Sequence, residues 1–371
     1  MEETTLLAGL VQERINDVLA QHREELAGLG SDAEALIDEA ERFLSGGKRF
    51  RAQFAVLGFR SVRGLDLEVD AGRGEPTRDF TAALDAACAL ELFHAAALIH
   101  DDIIDRSDTR RGRPASHRVF AGAHSSGGWS GDAEHFGVSG AILLGDVLQS
   151  WADELMQSAC ASASSPAAAE RARAHFNRMR SEVALGQYLD VLEEQQPTFA
   201  EHDLQLERST RILVYKSAKY SVEAPLLIGA SLAGADEAQE QAMSEFGLPI
   251  GVAFQLRDDQ LGVFGDAEVT GKPAGDDLIE GKRTVLVTLA RENLPATQRR
   301  IFDGMLGEQL DAGQVEMLQR TIRESGAVER VEEMITRNVE RALASLAGAP
   351  VRHDASEALA QLADRAARRD F

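Results

Sequence analysis

Leu7, Val11, Ile15, Val18, Leu19 and Leu26 recur at three- and four-residue steps until Gly28 and Gly30 interrupt them. That spacing lines one stripe of an α-helix with apolar side chains, and it returns along the whole chain. Comparable stretches cover about 32–45, 48–62, 80–106, 139–160, 166–193, 202–234, 236–265, 281–293, 297–306, 312–346 and 354–368. Alternation of apolar and polar residues, which marks a half-buried strand, is nearly absent. Only nine prolines occur in 371 residues, so little stands in the way of long helices. The fold class this predicts is all-α, a single domain over 1–371 with many helices around one core. Two polar stretches, 64–79 and 121–138, read as inserted loops, and short breaks fall at 161–166, 195–200 and 265–280.

Charge narrows the partners. The 39 basic against 61 acidic side chains leave a net charge of −22, a field that repels nucleic acid. Cys88 and Cys160 are the only cysteines, too few for a disulfide framework or a zinc knuckle. The acidic start MEETTLLAGL is unlike a secretory leader, and no uninterrupted apolar run reaches the roughly 18 residues of a membrane span. The expectation is a cytoplasmic protein without membrane insertion.

Two acidic clusters resist so bland a description. Asp101, Asp102 and Asp105 close an apolar helical run in LIHDDIIDRSDTRRGRP, with Asp101 and Asp105 one turn apart on one face. Asp258 and Asp259 close a second run in FQLRDDQLGVFGD. Either pair alone is what a solvated helix end would show. Two pairs, both ending apolar helices, suggest hard oxygen ligands for Mg²⁺, whose remaining shell is water and substrate phosphate. Cations cluster at matching places, in GGKRFR (46–51), TRRGRP (109–114), TGKPAGDD and EGKRT (270–284). Glycine beside lysine lets backbone approach an anion closely, and Arg110 and Arg111 follow the first acidic cluster directly. A nucleotide-binding P-loop is excluded, because GDAEVTGKP and GDDLIEGKRT have five residues between their glycines instead of four and no Ser or Thr after lysine.

In this order, GGKRFR, ELFH, DDIID with RRGRP, FQLRDDQLG and TGKPAGDDLIEGKRT resemble the trans-isoprenyl diphosphate synthases, or polyprenyl synthetases. Within them the chain looks most like actinobacterial geranylgeranyl diphosphate synthases. The resemblance spans most of the chain and implies an all-α bundle around a deep cavity, a homodimer, and Mg²⁺, three ions per active site. It assigns isopentenyl diphosphate to Lys48, Arg51, His94 and Arg111, and the allylic diphosphate to Arg110, Lys216, Ser217, Gln255, Lys272 and Lys282. Metal falls to Asp101, Asp102, Asp105 and Asp258, with Asp259 in support. The catalytic set it implies is Asp101, Asp102, Asp105, Arg110, Lys216, Gln255, Asp258 and Asp259.

Three departures stand out against the family pattern. Ala52 replaces the proline that often follows GGKRxR, Ser217 replaces threonine, and Gly262 replaces the last aspartate of the second motif, with Asp266 as a neighbouring carboxylate. Ala96 and Ala97 precede the first motif where bulky aromatics shorten the product in the family, so the resemblance implies a longer product. Phe93 or Trp151 is the expected floor for a twenty-carbon chain. Farnesyl or longer polyprenyl products are the alternatives. A class I terpene cyclase would carry an Asn/Ser/Glu metal motif in place of DDQLG, and a non-catalytic synthase subunit would have lost first-motif residues. His124 and His135 sit in the 121–138 stretch, where the reading is a flexible polar loop.

Overall fold

The computed structural model describes residues 2–72, 76–265 and 275–367, with no side-chain account of the first two. Helices dominate, and contacts divide the chain into two compact units: Met1–Ala174 with Pro225–Asp236, and His175–Ala224 with Glu237–Phe371.

The first unit holds α1 (Glu2–Glu25), α2 (Glu34–Leu44), α3 (Phe50–Val62), α4 (Leu67–Ala71), α5 (Arg78–Ile104), α6 (Ser116–Gly127) and α7 (Ala133–Ala161). It also takes the start of α8 (Pro166–Glu194) and nearly all of α10 (Ala224–Ala233). Helix α5 packs against α7, α3 and α1. Nearly every residue from Ala82 to Ala96 is buried, because alanines at 82, 83, 86, 87, 89, 95 and 96 leave room for neighbours on all sides. By length and composition α5 could cross a membrane, yet 78% of its most apolar window is buried inside the protein. It is the central core helix of this unit. Helices α3 and α10 touch backbone to backbone. A Cβ on Gly58 would lie 2.2 Å from the Leu226 carbonyl oxygen, and one on Gly229 would lie 1.9 Å from that of Ala55.

The second unit holds the rest of α8, α9 (His202–Ile212), a π-wound segment (Leu213–Glu223), α11 (Glu237–Phe264), α12 (Asp276–Glu280), α13 (Val285–Glu292), α14 (Ala296–Met305), α15 (Ala312–Glu324), α16 (Ala327–Leu346) and α17 (His353–Ala367). Its core runs through Leu213, Ala253, Leu256, Val263, Leu278, Leu286, Leu289, Ile322, Val331 and Ile335. Arg257 ties α11 to its neighbours, donating to Glu332 on α16 and to the Ala367 carbonyl of α17 at 3.0 Å.

Several loop and helix expectations need correction. The stretch 121–138 is mostly helical, since α6 continues to Gly127 and α7 begins at Ala133 under an Asp132 cap. Gly137 within it and Gly140 just beyond serve close packing: a Cβ on Gly137 would stand 2.3 Å from the His117 carbonyl oxygen, and one on Gly140 2.9 Å from the Phe120 ring. His124 is buried against Trp129 and Phe136, and its Nε2 lies 3.3 Å from the Ser130 carbonyl oxygen. It is no part of a flexible polar loop. The stretch 64–79 contains α4, capped by Asp66, and the first two residues of α5. The run 202–234 changes winding at Leu213 and again at Ala224. The run 312–346 breaks at Ser325–Gly326, where Gly326 has φ +77°. The helix expected from 281 starts only at Val285, after Gly281 takes φ +78° and Thr284 caps the next turn.

Candidate active site

In the first unit, α5 ends at the first acidic cluster. Asp105 is its C-cap, with its N–H on the Asp101 carbonyl at 2.8 Å, and Ser107 N–H closes onto the Asp102 carbonyl at 2.9 Å. A two-residue hairpin follows, pairing β1 (Thr109–Arg110) with β2 (Arg113–Pro114). Its turn residues Arg111 and Gly112 have φ +52° and +70°, the positive pair that a right-twisted two-residue hairpin requires. The turn folds Arg110 back over the aspartates. Its Nε donates to Asp102 Oδ1 at 2.8 Å, and its Nη2 reaches the same oxygen and, at 3.5 Å, Asp101 Oδ2. Asp102 is buried and held by this cation, whereas Asp101 is more accessible. Helix α2 braces the hairpin base: Ser116 Oγ donates to Glu39 at 2.6 Å, and Arg42 donates to the Pro114 carbonyl at 3.1 Å.

The GGKRFR loop lies under the same hairpin. A Cβ on Gly47 would stand 3.5 Å from both Nη atoms of Arg111, so the guanidinium rests against glycine backbone. Burial holds His94 well below the usual imidazole range, and Arg51, Arg111, Arg110 and Arg49 add to this in that order. Burial also lowers Arg111, followed by Arg49, against an opposing pull from Glu91. A neutral histidine among four guanidinium groups is a site for a polyanion. Lys48 is exposed and Arg51 half-buried at its edge. The N–H of Ala52, which a proline would lack, donates to Glu91 at 3.3 Å.

In the second unit, Asp258 is exposed and Asp259 buried on α11. Gln255 donates to Asp259 Oδ1 at 2.8 Å from one turn earlier. Burial pushes the Asp259 carboxyl well above the usual carboxylate range; the Gln255 hydrogen bond opposes this, while Asp277, Asp258 and Asp190 push it further. The π-wound segment carries Lys216 and Ser217, and Lys216 Nζ donates to Asp190 on α8 at 2.5 Å. Two glycines admit that segment: a Cβ on Gly186 would meet Lys216 N at 2.5 Å, and one on Gly251 the Ala218 carbonyl oxygen at 2.3 Å. Lys282 pairs with Glu280 and stands 3.9 Å from Asp277. Lys272 and Asp266 lie outside the described residues.

Asp190, Asp277, Arg49 and Glu91 were missed in the sequence. Asp190 sits alone in the apolar stretch YLDVL, a signal that a buried acid needs a partner. Arg49, Glu91 and Asp277 lay inside GGKRFR, ELFH and TGKPAGDDLIEGKRT, but nothing there set them apart from the other residues of those motifs. At Gly262 a Cβ would lie 2.1 Å from Asp277 Oδ2 and 2.5 Å from its Cγ. The carboxylate of Asp277 therefore fills the space beside the missing aspartate's backbone, and Gly275 N–H binds the Gly262 carbonyl at 3.2 Å.

Among the described residues no three His, Cys, Asp or Glu side chains are gathered closely enough to hold a metal by themselves. The donors present nevertheless fit Mg²⁺. They are carboxylate oxygens, of which that ion takes one or two beside water and phosphate, and an added cation would relieve the mutual repulsion around Asp259.

Residues 34–323 match the family model described as polyprenyl synthetase. The chain belongs to the polyprenyl synthetase family. It is accordingly a prenyltransferase with an isoprenyl synthase fold, as its residues and helices led one to expect. It is 33% identical over 306 residues to a geranylfarnesyl diphosphate synthase of Aeropyrum pernix, covering 82% of this chain and 85% of that one. Against a geranylgeranyl diphosphate synthase of Methanosarcina mazei the figures are 32% over 333 residues, 85% and 89%. A geranylgeranyl pyrophosphate synthase of Corynebacterium glutamicum, crystallised with isoprenyl diphosphate and magnesium, superposes with a TM-score of 0.89 at 36% identity, covering 98% of this chain and 99% of that one.

Proposed function

We propose that this polyprenyl synthetase condenses isopentenyl diphosphate head-to-tail with allylic diphosphates and releases trans-geranylgeranyl diphosphate. The observation that carries the reading is the convergence of Arg49, Arg51, Arg110 and Arg111 on a neutral His94. A terpene cyclase has no use for a second diphosphate subsite beside its aspartates, and a non-catalytic subunit no need to keep Arg110 on Asp102.

In this reading Lys48, Arg51, His94 and Arg111 hold isopentenyl diphosphate. Arg110, Lys216, Ser217, Gln255, Lys272 and Lys282 serve the allylic diphosphate. Asp101, Asp105 and Asp258 take the metal, supported by Asp102 in the first unit and by Asp259, Asp190 and Asp277 in the second, for three Mg²⁺ per active site in a homodimer. Bound Mg²⁺ supplies charge neutralisation for the departing pyrophosphate. The allylic C–O bond breaks with its electron pair leaving on pyrophosphate. The double bond of isopentenyl diphosphate then forms the new C–C bond, and a proton passes to pyrophosphate. Arg110, fixed by Asp102, and Lys216, fixed by Asp190, are each held ready as a cation for the leaving group.

Phe93, Ala97 and Asp101 follow at four-residue steps, one face of α5. Phe93 is buried and lies about 12 Å along the helix from Asp101. Trp151 is stacked on His22 at 4.3 Å between ring centroids, which marks it as core packing. We therefore assign the floor of the tail cavity to Phe93, with Ala96 and Ala97 leaving the upper wall open.

The test is incubation with Mg²⁺, isopentenyl diphosphate and dimethylallyl, geranyl or farnesyl diphosphate in turn, sizing the dephosphorylated products by mass spectrometry. A dominant twenty-carbon alcohol is expected. Other chain lengths would overturn the assigned product, and absence of elongation or release of a cyclic hydrocarbon would overturn the reaction.

A further inference from the structure

Gly46, Gly47 and Arg49 have φ +71°, +102° and +51°. Two of these residues are glycines and adopt such angles without penalty, but the left-handed conformation strains a residue like Arg49. Something must hold this loop. Arg49 is buried and donates to the Leu44 carbonyl at the end of α2, to Glu91 on α5 at 3.1 Å, and to Gln12 on α1 at 2.8 Å. Gln12 Oε1 also accepts the N–H of Gly46 at 3.1 Å. The other half of its amide is committed too, because Nε2 donates to Asn16 Oδ1 at 2.9 Å, which aims the oxygen at the loop. Between these ties the loop carries Lys48, lays Gly47 against the Arg111 guanidinium and leads into Arg51, whose charge acts on His94 and Arg111.

Helix α1 precedes the residues 34–323 that match the family model. We propose that Gln12 is a positioning residue for the diphosphate subsite formed by Lys48, Arg51, His94 and Arg111. One carbonyl oxygen on α1 fastens both ends of the strained turn, so the N-terminal helix sets the affinity of that subsite without touching its ligand. The proposal rests on the isopentenyl diphosphate assignment made above. Gln12 separates positioning from folding better than Arg49 or Glu91. It is neutral and half-buried, and its loss leaves no buried charge without its counter-ion.

The experiment compares wild type, Gln12→Leu and Gln12→Glu in steady-state kinetics with each substrate varied separately, alongside thermal unfolding. Leucine keeps the volume and removes the acceptor, whereas glutamate keeps it. Expected for Gln12→Leu is a KM for isopentenyl diphosphate raised about tenfold, as loss of a doubly used acceptor allows, with the allylic KM and kcat within about twofold of wild type. Gln12→Glu should stay near wild type. Should the leucine variant not fold, Gln12→Asn, whose oxygen stops one methylene short, carries the same expectation. The proposal is overturned if both KM values are unchanged, if they rise together with a lower unfolding temperature, or if glutamate fares no better than leucine. A wild-type protein that elongates nothing removes the functional reading itself, which distinguishes that failure from this one.

Discussion

Gly262→Ala adds one methyl group at the place where the second acidic motif departs from its family pattern. On an unhindered helix face this exchange stabilises by about 1 kcal/mol, because glycine is the poorer helix former. Here the new Cβ would lie 2.1 Å from Asp277 Oδ2 and 2.9 Å from its Oδ1. Asp277 is short and stands at the start of α12, where the Gly275–Gly262 hydrogen bond holds the backbone, so its carboxylate can yield only by leaving its rotamer. Such overpacking costs about 1–3 kcal/mol. The net expectation is a loss of about 1 kcal/mol in the wild-type background. After Asp277→Ala the obstruction is gone, and the same methyl should stabilise by about 1 kcal/mol, a coupling of about 2 kcal/mol between the sites. Urea unfolding of the four proteins measures it from the midpoints at constant m. A Gly262→Ala that stabilises equally in both backgrounds would refute the claim that Asp277 fills this space. A second readout is the Mg²⁺ concentration needed for inorganic pyrophosphate to raise the unfolding temperature, which should increase in Asp277→Ala.

Two further outcomes follow from the first unit. Phe93→Ala should shift the product beyond twenty carbons, whereas Trp151→Ala should leave product length unchanged and cost about 3 kcal/mol of stability, as large-to-small core changes do; product sizing and urea midpoints separate the two. His94, whose folded-state pKa lies well below 6.5, resists the proton that the unfolded chain accepts near that pH. Stability is therefore complete above about pH 6.5 and declines as pH falls below it, by at most about 1.4 kcal/mol per unit. Gln at position 94 should flatten that decline in unfolding measured between pH 5 and 8.

Helix type and order were legible because they rest on spacing alone: α8, α11 and α17 fall within a residue or so of the stretches that periodicity marked. The stretch 121–138 was misjudged because glycine has two uses that composition cannot separate. Gly128 and Gly131, with φ +60° and +106°, make a turn. Gly137, like Gly140 just beyond the stretch, instead lets α6 and α7 press together, and only the partner surfaces reveal it. The residues of the candidate site divide in the same way. Asp101, Asp102 and Arg110 stood out because charge closing an apolar helix is conspicuous, whereas Lys48 and His94 came from the resemblance of GGKRFR and ELFH to the family's motifs. Arg49 and Glu91 were hidden because each explains the other's burial from distant parts of the chain.

Gly262 is a glycine of the second kind, set against a partner's side chain. Seen along the chain, it is a carboxylate lost from DDQLG, and the nearest replacement is Asp266. In the fold, α11 ends, Gly275 hydrogen-bonds back to Gly262, and its φ of +83° starts α12 so that Asp277 sits against the glycine backbone. Where the carboxylate of 277 now stands, a side chain at 262 would collide with it. The absence of one aspartate and the placement of another are thus one packing solution. The local negative charge, which a lost residue would have reduced, is kept beside Asp258 and Asp259 by a side chain fifteen positions later in the sequence.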